Sequence, residues 1–321
     1  MADDNRRRAR WGAFGRTAIG VGIAAWVLSR VPFSPKMLAD AWLPLCVFAA
    51  LGPFGVLVEA TRLLLVVRVE GIALSFERAI RIVLVSAFFS VAVPGGTGGD
   101  VIKLYYLGRD RRARLVEIGT LVLLDRAVAM TALFVLVSGL AACLPRAAFA
   151  GRAGSMLAIG AALGVGLVVG GVLLVFSAER LAALRVLRVG WLVRILTALS
   201  HFRRQRRLLL GMFVMAVLGH ASILTAFAYA AAQLLGSTQH VLAAALAALG
   251  FFANALPITP AGLGVGEAAF EQLFRWSGLA GAAVLLVLWR LACLPIWVCG
   301  FFVYLQGNLQ QRSATAAAQS E

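Results

Sequence analysis

Long apolar stretches alternate along the chain with short polar or basic ones. Runs free of Asp, Glu, Lys and Arg cover Ala153–Ala178, Leu208–Gln239 and Val241–Gly266. A helix needs about 20 residues to cross roughly 30 Å of hydrocarbon, so each of these runs is long enough. The pattern predicts full spans at about 12–30, 41–66, 115–143, 154–177, 208–235 and 279–306. Between 178 and 207, leucines and valines recur at helical spacing with arginines among them, which predicts a basic helix lying in the membrane interface.

Two apolar segments are interrupted. IVLVSAFFSVAV runs into VPGGTGGD, Val93 to Asp100, where proline removes a backbone donor and the glycines remove helix propensity. Basic residues flank this segment at Arg62–Arg81 and at Lys103–Arg114. The tendency of cationic loops to stay on the cytoplasmic side puts both its ends on one face. A segment that enters and leaves on one face is a re-entrant hairpin, and the glycines supply its turn. The second interruption, PITPAGLGVGE from Pro257 to Glu267, repeats the pattern: Pro94–Gly98 and Pro260–Gly264 both read P-x-G-x-G, followed by Asp100 and Glu267. An arginine lies 32 residues after Pro94, at Arg126, and another lies 30 residues after Pro260, at Arg290.

The resulting expectation is an all-α polytopic membrane protein with about six full transmembrane helices plus two re-entrant broken-helix hairpins in an inverted repeat. The chain forms one integral membrane domain over 1–321, with a first repeat at 41–143 (tip 93–100) and a second at 208–306 (tip 257–267). Both termini are expected on the cytoplasmic side.

Composition agrees with the pattern. Of 321 residues, 61% are hydrophobic and only 14% charged, too few to solvate a soluble globule of this size. The net charge of +16 resides in blocks between spans, so it marks topology and contacts to anionic headgroups rather than nucleic-acid binding. Cys46, Cys143, Cys293 and Cys299 lie in or beside apolar segments without metal-ligand spacing, so neither disulfide nor zinc is expected. The glycines after Pro94 are not followed by G-K-[ST] and make no P-loop. No cofactor and no metal are expected.

VPGGTGGDVIKLYYLGRD and PITPAGLGVGEAAF, with LLDR at Leu123–Arg126 between them, closely resemble the lysylphosphatidylglycerol synthase transmembrane, or flippase-like, family. The resemblance spans about residues 12–306. It implies a bacterial inner-membrane protein that moves lipids, here a stand-alone member without the soluble aminoacyl-transferase domain. Substrates associated with that branch are phospholipids, hopanoids and polyprenyl-linked glycolipids. The competing classes are an intramembrane lipid transferase and a non-transporting membrane subunit. Expected partners are membrane lipids with an anionic headgroup, and beyond them a second copy of the chain or a lipid-synthesising enzyme.

Intramembrane guanidiniums are costly and need a partner or a ligand. Arg126 and Arg290 therefore either converge on a phosphate headgroup or lock the hairpins by pairing with Asp100, Asp125, Glu267 or Glu271. Free N–H groups at the hairpin breaks, around Gly95, Gly96, Gly98 and Gly99 and around Gly262 and Gly264, suit an anion. Asn254 precedes the second tip and offers a headgroup hydrogen bond. Asp100 and Glu267 serve as helix caps or as coupling groups, and His220 adds a protonatable side chain. Pro94, Pro257 and Pro260 mark the breaks. Glu59 and Arg62 are expected to pair with each other on one helix face. Tyr105, Tyr106, Trp276 and Trp289 are expected at the interface or facing lipid.

Overall fold

The computed structural model describes residues 35–69, 71–92, 98–109, 115–183, 205–256 and 258–319. The predicted span at 12–30, the tip residues Pro94, Gly95 and Gly96, Pro257, and residues 184–204 of the basic segment lie outside the described residues.

A short helix α1 (Pro35–Asp40) leads into α2 (Trp42–Val69). Then come α3 (Phe76–Ala92), α4 (Gly98–Gly108) and α5 (Leu115–Ala142). A 3-10 turn at Arg146–Phe149 precedes α6 (Gly151–Ala183), and α7 (Arg206–Leu235) follows. The chain continues through α8 (His240–Asn254), a 3-10 turn at Pro260–Gly262, α9 (Val265–Arg275) and α10 (Ala283–Gln319). Among the described residues, five helical stretches are long and apolar enough to cross a membrane: Trp42–Val69, Leu115–Ala142, Gly151–Gly171, Arg206–Leu235 and Ala283–Gln306. They coincide with the five predicted spans that the described residues cover. The last helix runs on to Gln319 instead of giving way to a polar tail at 306.

Apolar side chains point outward along these helices. On α6, Ile159, Leu163, Val165 and Val169 are all exposed. In water so continuous an apolar face would drive association, whereas against acyl chains it is matched to its surroundings. The chain is an integral membrane protein.

α3 ends at Ala92 and α4 begins at Gly98, with the first expected break in the undescribed residues between them, and the second expected break separates α8 from α9. The second break starts right after Asn254, earlier than Pro257, and ends at Val265. Its short turn cannot continue a helix: Ala261 has φ 51°, and Gly262 and Gly264 have φ 68° and 79°, all in the left-handed region. In both cases an acid is the third residue of the helix after the break, Asp100 in α4 and Glu267 in α9.

The packing is reciprocal. α2 lies along α7, α3 against α4, and α8 against α9. α5 packs on α7 and α8, while α10 packs on α2 and α3. So the long helix after each broken helix covers the first arm of the other one. Gly300 of α10 approaches the Leu84 carbonyl of α3 so closely that a Cβ would overlap it. Two apolar cores result. One gathers Phe48, Leu133, Leu157, Phe227, Leu246, Phe270, Phe274 and Leu285 around α8 and α9. The other gathers Leu63, Val67, Ile82, Leu107, Ile118, Leu121 and Met212 around the outer ends of α3 and α4.

Candidate functional site between the two broken helices

Between these cores, ionisable groups from several helices meet. Arg126 stands near the middle of the 28-residue apolar helix α5 and reaches in two directions. Its Nη1 donates to Asp100 Oδ2 at 2.5 Å, in the first turn of α4. Its Nη2 points to the carbonyl of Ala255 at 3.4 Å, where α8 gives out. One guanidinium thus touches both breaks. The Ala255 contact is long for a hydrogen bond and correspondingly weak. The pair is also open, with 33% of the Arg126 side chain and 30% of the Asp100 side chain exposed.

Arg290, on α10, is held quite differently. Nη1 donates to the Ala261 carbonyl and Nη2 to Asn254 Oδ1, both at 2.8 Å. Nε lies 2.7 Å from Glu267 Oε1, an ion pair whose angle falls short of a hydrogen bond. Glu267 in turn accepts the backbone N–H of Gly264 at 2.8 Å, satisfying a free donor at the start of α9. Only 14% of the Arg290 side chain and 2% of that of Glu267 are exposed. Asn254 fits here because Gly262 and Gly266 have no Cβ; a methyl on either would overlap its side-chain oxygen. The left-handed Ala261 is a strained conformation for a residue with a Cβ, and its carbonyl is one that Arg290 holds.

A third cluster adjoins the first. Lys103, one turn beyond Asp100 on α4, is buried with Nζ 2.6 Å from Glu59 Oε1 and 3.7 Å from Asp125 Oδ2. Asp125 also accepts from Arg62 Nη2, at 2.5 Å on Oδ1 and 2.9 Å on its backbone carbonyl. Among the described residues, Arg62 Nε is buried without a hydrogen-bond partner. Thus Asp125 faces Arg62 and Lys103 while its sequence neighbour Arg126 faces Asp100, as adjacent positions about 100° apart on a helix require. The Glu59–Arg62 pair expected on α2 is not formed: each residue takes a partner on a different helix. Two ion pairs of opposite polarity, Asp100–Arg126 and Lys103–Asp125, fasten α4 to α5.

The remaining candidates are dispersed. His220 Nε2 lies 3.1 Å from the Ala129 carbonyl, so that nitrogen carries the proton and ties α7 to α5. Glu271 is remote from both breaks in its bonding: it pairs with Arg275 at 2.7 Å and accepts the N–H groups of Gly281 and Ala283, capping α10. Gly98 and Gly99 are buried at the start of α4. Trp289, expected at the lipid surface, packs edge-on to Phe48 with centroids 5.7 Å apart, whereas Tyr105 and Trp276 are exposed. Among the described residues, no group of three or more His, Cys, Asp or Glu is placed to hold a metal ion.

Lys103 was not singled out by its sequence context, where it opens a basic stretch. The available signal was its spacing from Asp100: three residues apart, the two share one face of α4.

Paired broken helices with charged groups at the breaks, set among apolar spans, define a polytopic membrane protein built around an intramembrane polar centre. The chain belongs to the family described as lysylphosphatidylglycerol synthase TM region, which matches residues 14–300. No curated protein and no solved structure matches it.

Proposed function

We propose that the protein is a lipid flippase or lipid-carrier transporter that moves an anionic phospholipid or a polyprenyl- or hopanoid-type lipid across the bacterial inner membrane. In this reading the broken helices are re-entrant hairpins entering from opposite faces, the repeats are 41–143 and 208–306, and both termini are cytoplasmic. The reciprocal packing of α5 on α8 and of α10 on α3 supports an inverted repeat. The lipid headgroup crosses between the breaks while its chains stay in the bilayer.

One observation carries the reading: Arg126 spans both breaks, is one-third exposed, and has a replaceable second contact. A planar, permanently charged fork in that position suits a phosphate oxygen pair. Arg290 then serves as the lock that holds the second break in shape, and Arg126 as the group that exchanges Asp100 for the headgroup.

The test is reconstitution in vesicles containing fluorescent phosphatidylglycerol, with quencher added outside to follow loss of the inner-leaflet pool. Arg126→Ala is expected to slow flipping by about 10- to 100-fold, the loss of charge-assisted hydrogen bonds worth about 1.5–3 kcal/mol. Arg126→Lys keeps the charge but not the fork and falls between. An Arg126→Ala protein that is folded and flips at the wild-type rate overturns the proposal.

A further inference from the structure

Among the described residues, the charges around Arg126 cancel. Asp100, Glu59 and Asp125 supply three negative charges, and Arg126, Lys103 and Arg62 supply three positive ones. The Arg290–Glu267 pair is neutral by itself. A phosphodiester that takes Arg126 therefore brings a negative charge into a centre that has none to spare, and leaves Asp100 without its partner. At this depth an unmatched charge is expensive, and ionisable groups escape the expense by changing protonation.

We propose that the headgroup binds together with a proton, which Asp100 accepts from water as Arg126 turns from its carboxylate to the phosphate. The inference rests on the flippase reading and adds its coupling: lipid and proton enter one site together and leave together. The proton binds an Asp100 oxygen on loading and returns to water on release, so the site regains its neutral, ion-paired form each cycle.

The neighbours of Asp100 single it out as the acceptor. From its own helix it faces Lys103, close enough for the two charges to interact. From α5 it faces Arg126, with Asp125 alongside, and α2 contributes Glu59 and Arg62 through Lys103. α3 keeps its ionisable groups, Glu77, Arg78 and Arg81, in its first turns, where Arg81 bonds Glu77 at 2.7 Å, and residues 82–92, towards Asp100, hold none. His220 is engaged with the Ala129 carbonyl. Asp125 retains Arg62 and Lys103 whatever Arg126 does, and Glu59 retains Lys103. Among the described residues, Asp100 alone loses its ion-pair partner when the headgroup arrives.

The experiment is calorimetric titration of the purified full chain in detergent with six-carbon-chain phosphatidylglycerol, run in two buffers of different ionisation enthalpy at each of several pH values. Wild type is expected to take up about one proton per lipid, and its affinity to fall about tenfold for each unit of rising pH. Asp100→Asn, which mimics the neutral acid, is expected to bind with no proton uptake and no slope. An infrared difference spectrum of wild type reports the same event without a variant, as a protonated-carboxyl band that appears with lipid. Binding that requires Arg126 yet takes up no proton and raises no such band overturns this inference and leaves the headgroup site standing. Uptake that persists in folded Asp100→Asn assigns the proton elsewhere and overturns it as well. Equal binding by wild type and Arg126→Ala overturns the headgroup reading itself.

Discussion

The two intramembrane arginines occupy matched positions in the sequence but opposite roles in the structure, and their removal is expected to separate stability from transport. Arg290→Ala leaves the Glu267 carboxylate, 2% exposed, with the Gly264 N–H as its remaining partner. It also frees the Asn254 amide oxygen and the Ala261 carbonyl. Breaking a buried pair from one side costs about 3–5 kcal/mol, because the other charge stays buried. Arg126→Ala removes a pair that is about one-third exposed, worth about 0.2–1 kcal/mol, and the Asp100 carboxylate it strands escapes the cost of an unmatched charge by taking up a proton. The expected gap of about 2–5 kcal/mol corresponds to a difference of about thirtyfold or more in the folding equilibrium. Reversible unfolding in mixed detergent micelles, followed by tryptophan fluorescence, measures both. Adding Glu267→Gln to Arg290→Ala is expected to restore part of the loss, since no charge is then left uncompensated. Equal destabilisation by the two single variants, or no recovery in the double variant, refutes the distinction between lock and exchanging group.

Further outcomes follow from the same geometry. Gly266→Ala puts a methyl against Asn254 and Leu286, and overpacking of about 1–3 kcal/mol should show in the same unfolding assay. Ala261→Gly relieves a left-handed residue and should stabilise the protein by up to about 1 kcal/mol without slowing flipping. Lys103→Met keeps the stem but strips both carboxylates of the ammonium; destabilisation should be clear, and neutralising Asp125 in addition should worsen it, because Arg62 then loses its partner.

The spans and breaks were legible because both depend on local sequence. An apolar run of membrane length must be helical, and a proline among glycines must interrupt it. The spacing from each P-x-G-x-G to an arginine also pointed to the residues that meet the breaks. What local sequence did not carry was which face of a helix meets which neighbour. Glu59 and Arg62 are three residues apart and look like an isolated pair, yet on α2 one reaches Lys103 of α4 and the other Asp125 of α5. Glu271, close in sequence to the second break, turns to the far end of α9 because the free N–H groups of Gly281 and Ala283 await an acceptor there. The difference between Arg126 and Arg290 is likewise one of burial, which emerges only when α8, α9 and α10 are packed.

The reciprocal covering of arms sets an order on biogenesis. α3 and α4 leave the ribosome long before α10, yet α10 is the helix whose Gly300 lies against the α3 backbone. The first broken helix must therefore wait, part of its surface uncovered, until nearly the whole chain has been inserted. Quality control in the membrane has a natural substrate in that waiting intermediate: a chain halted before α10 presents an unclosed α3 as the mark of its incompleteness.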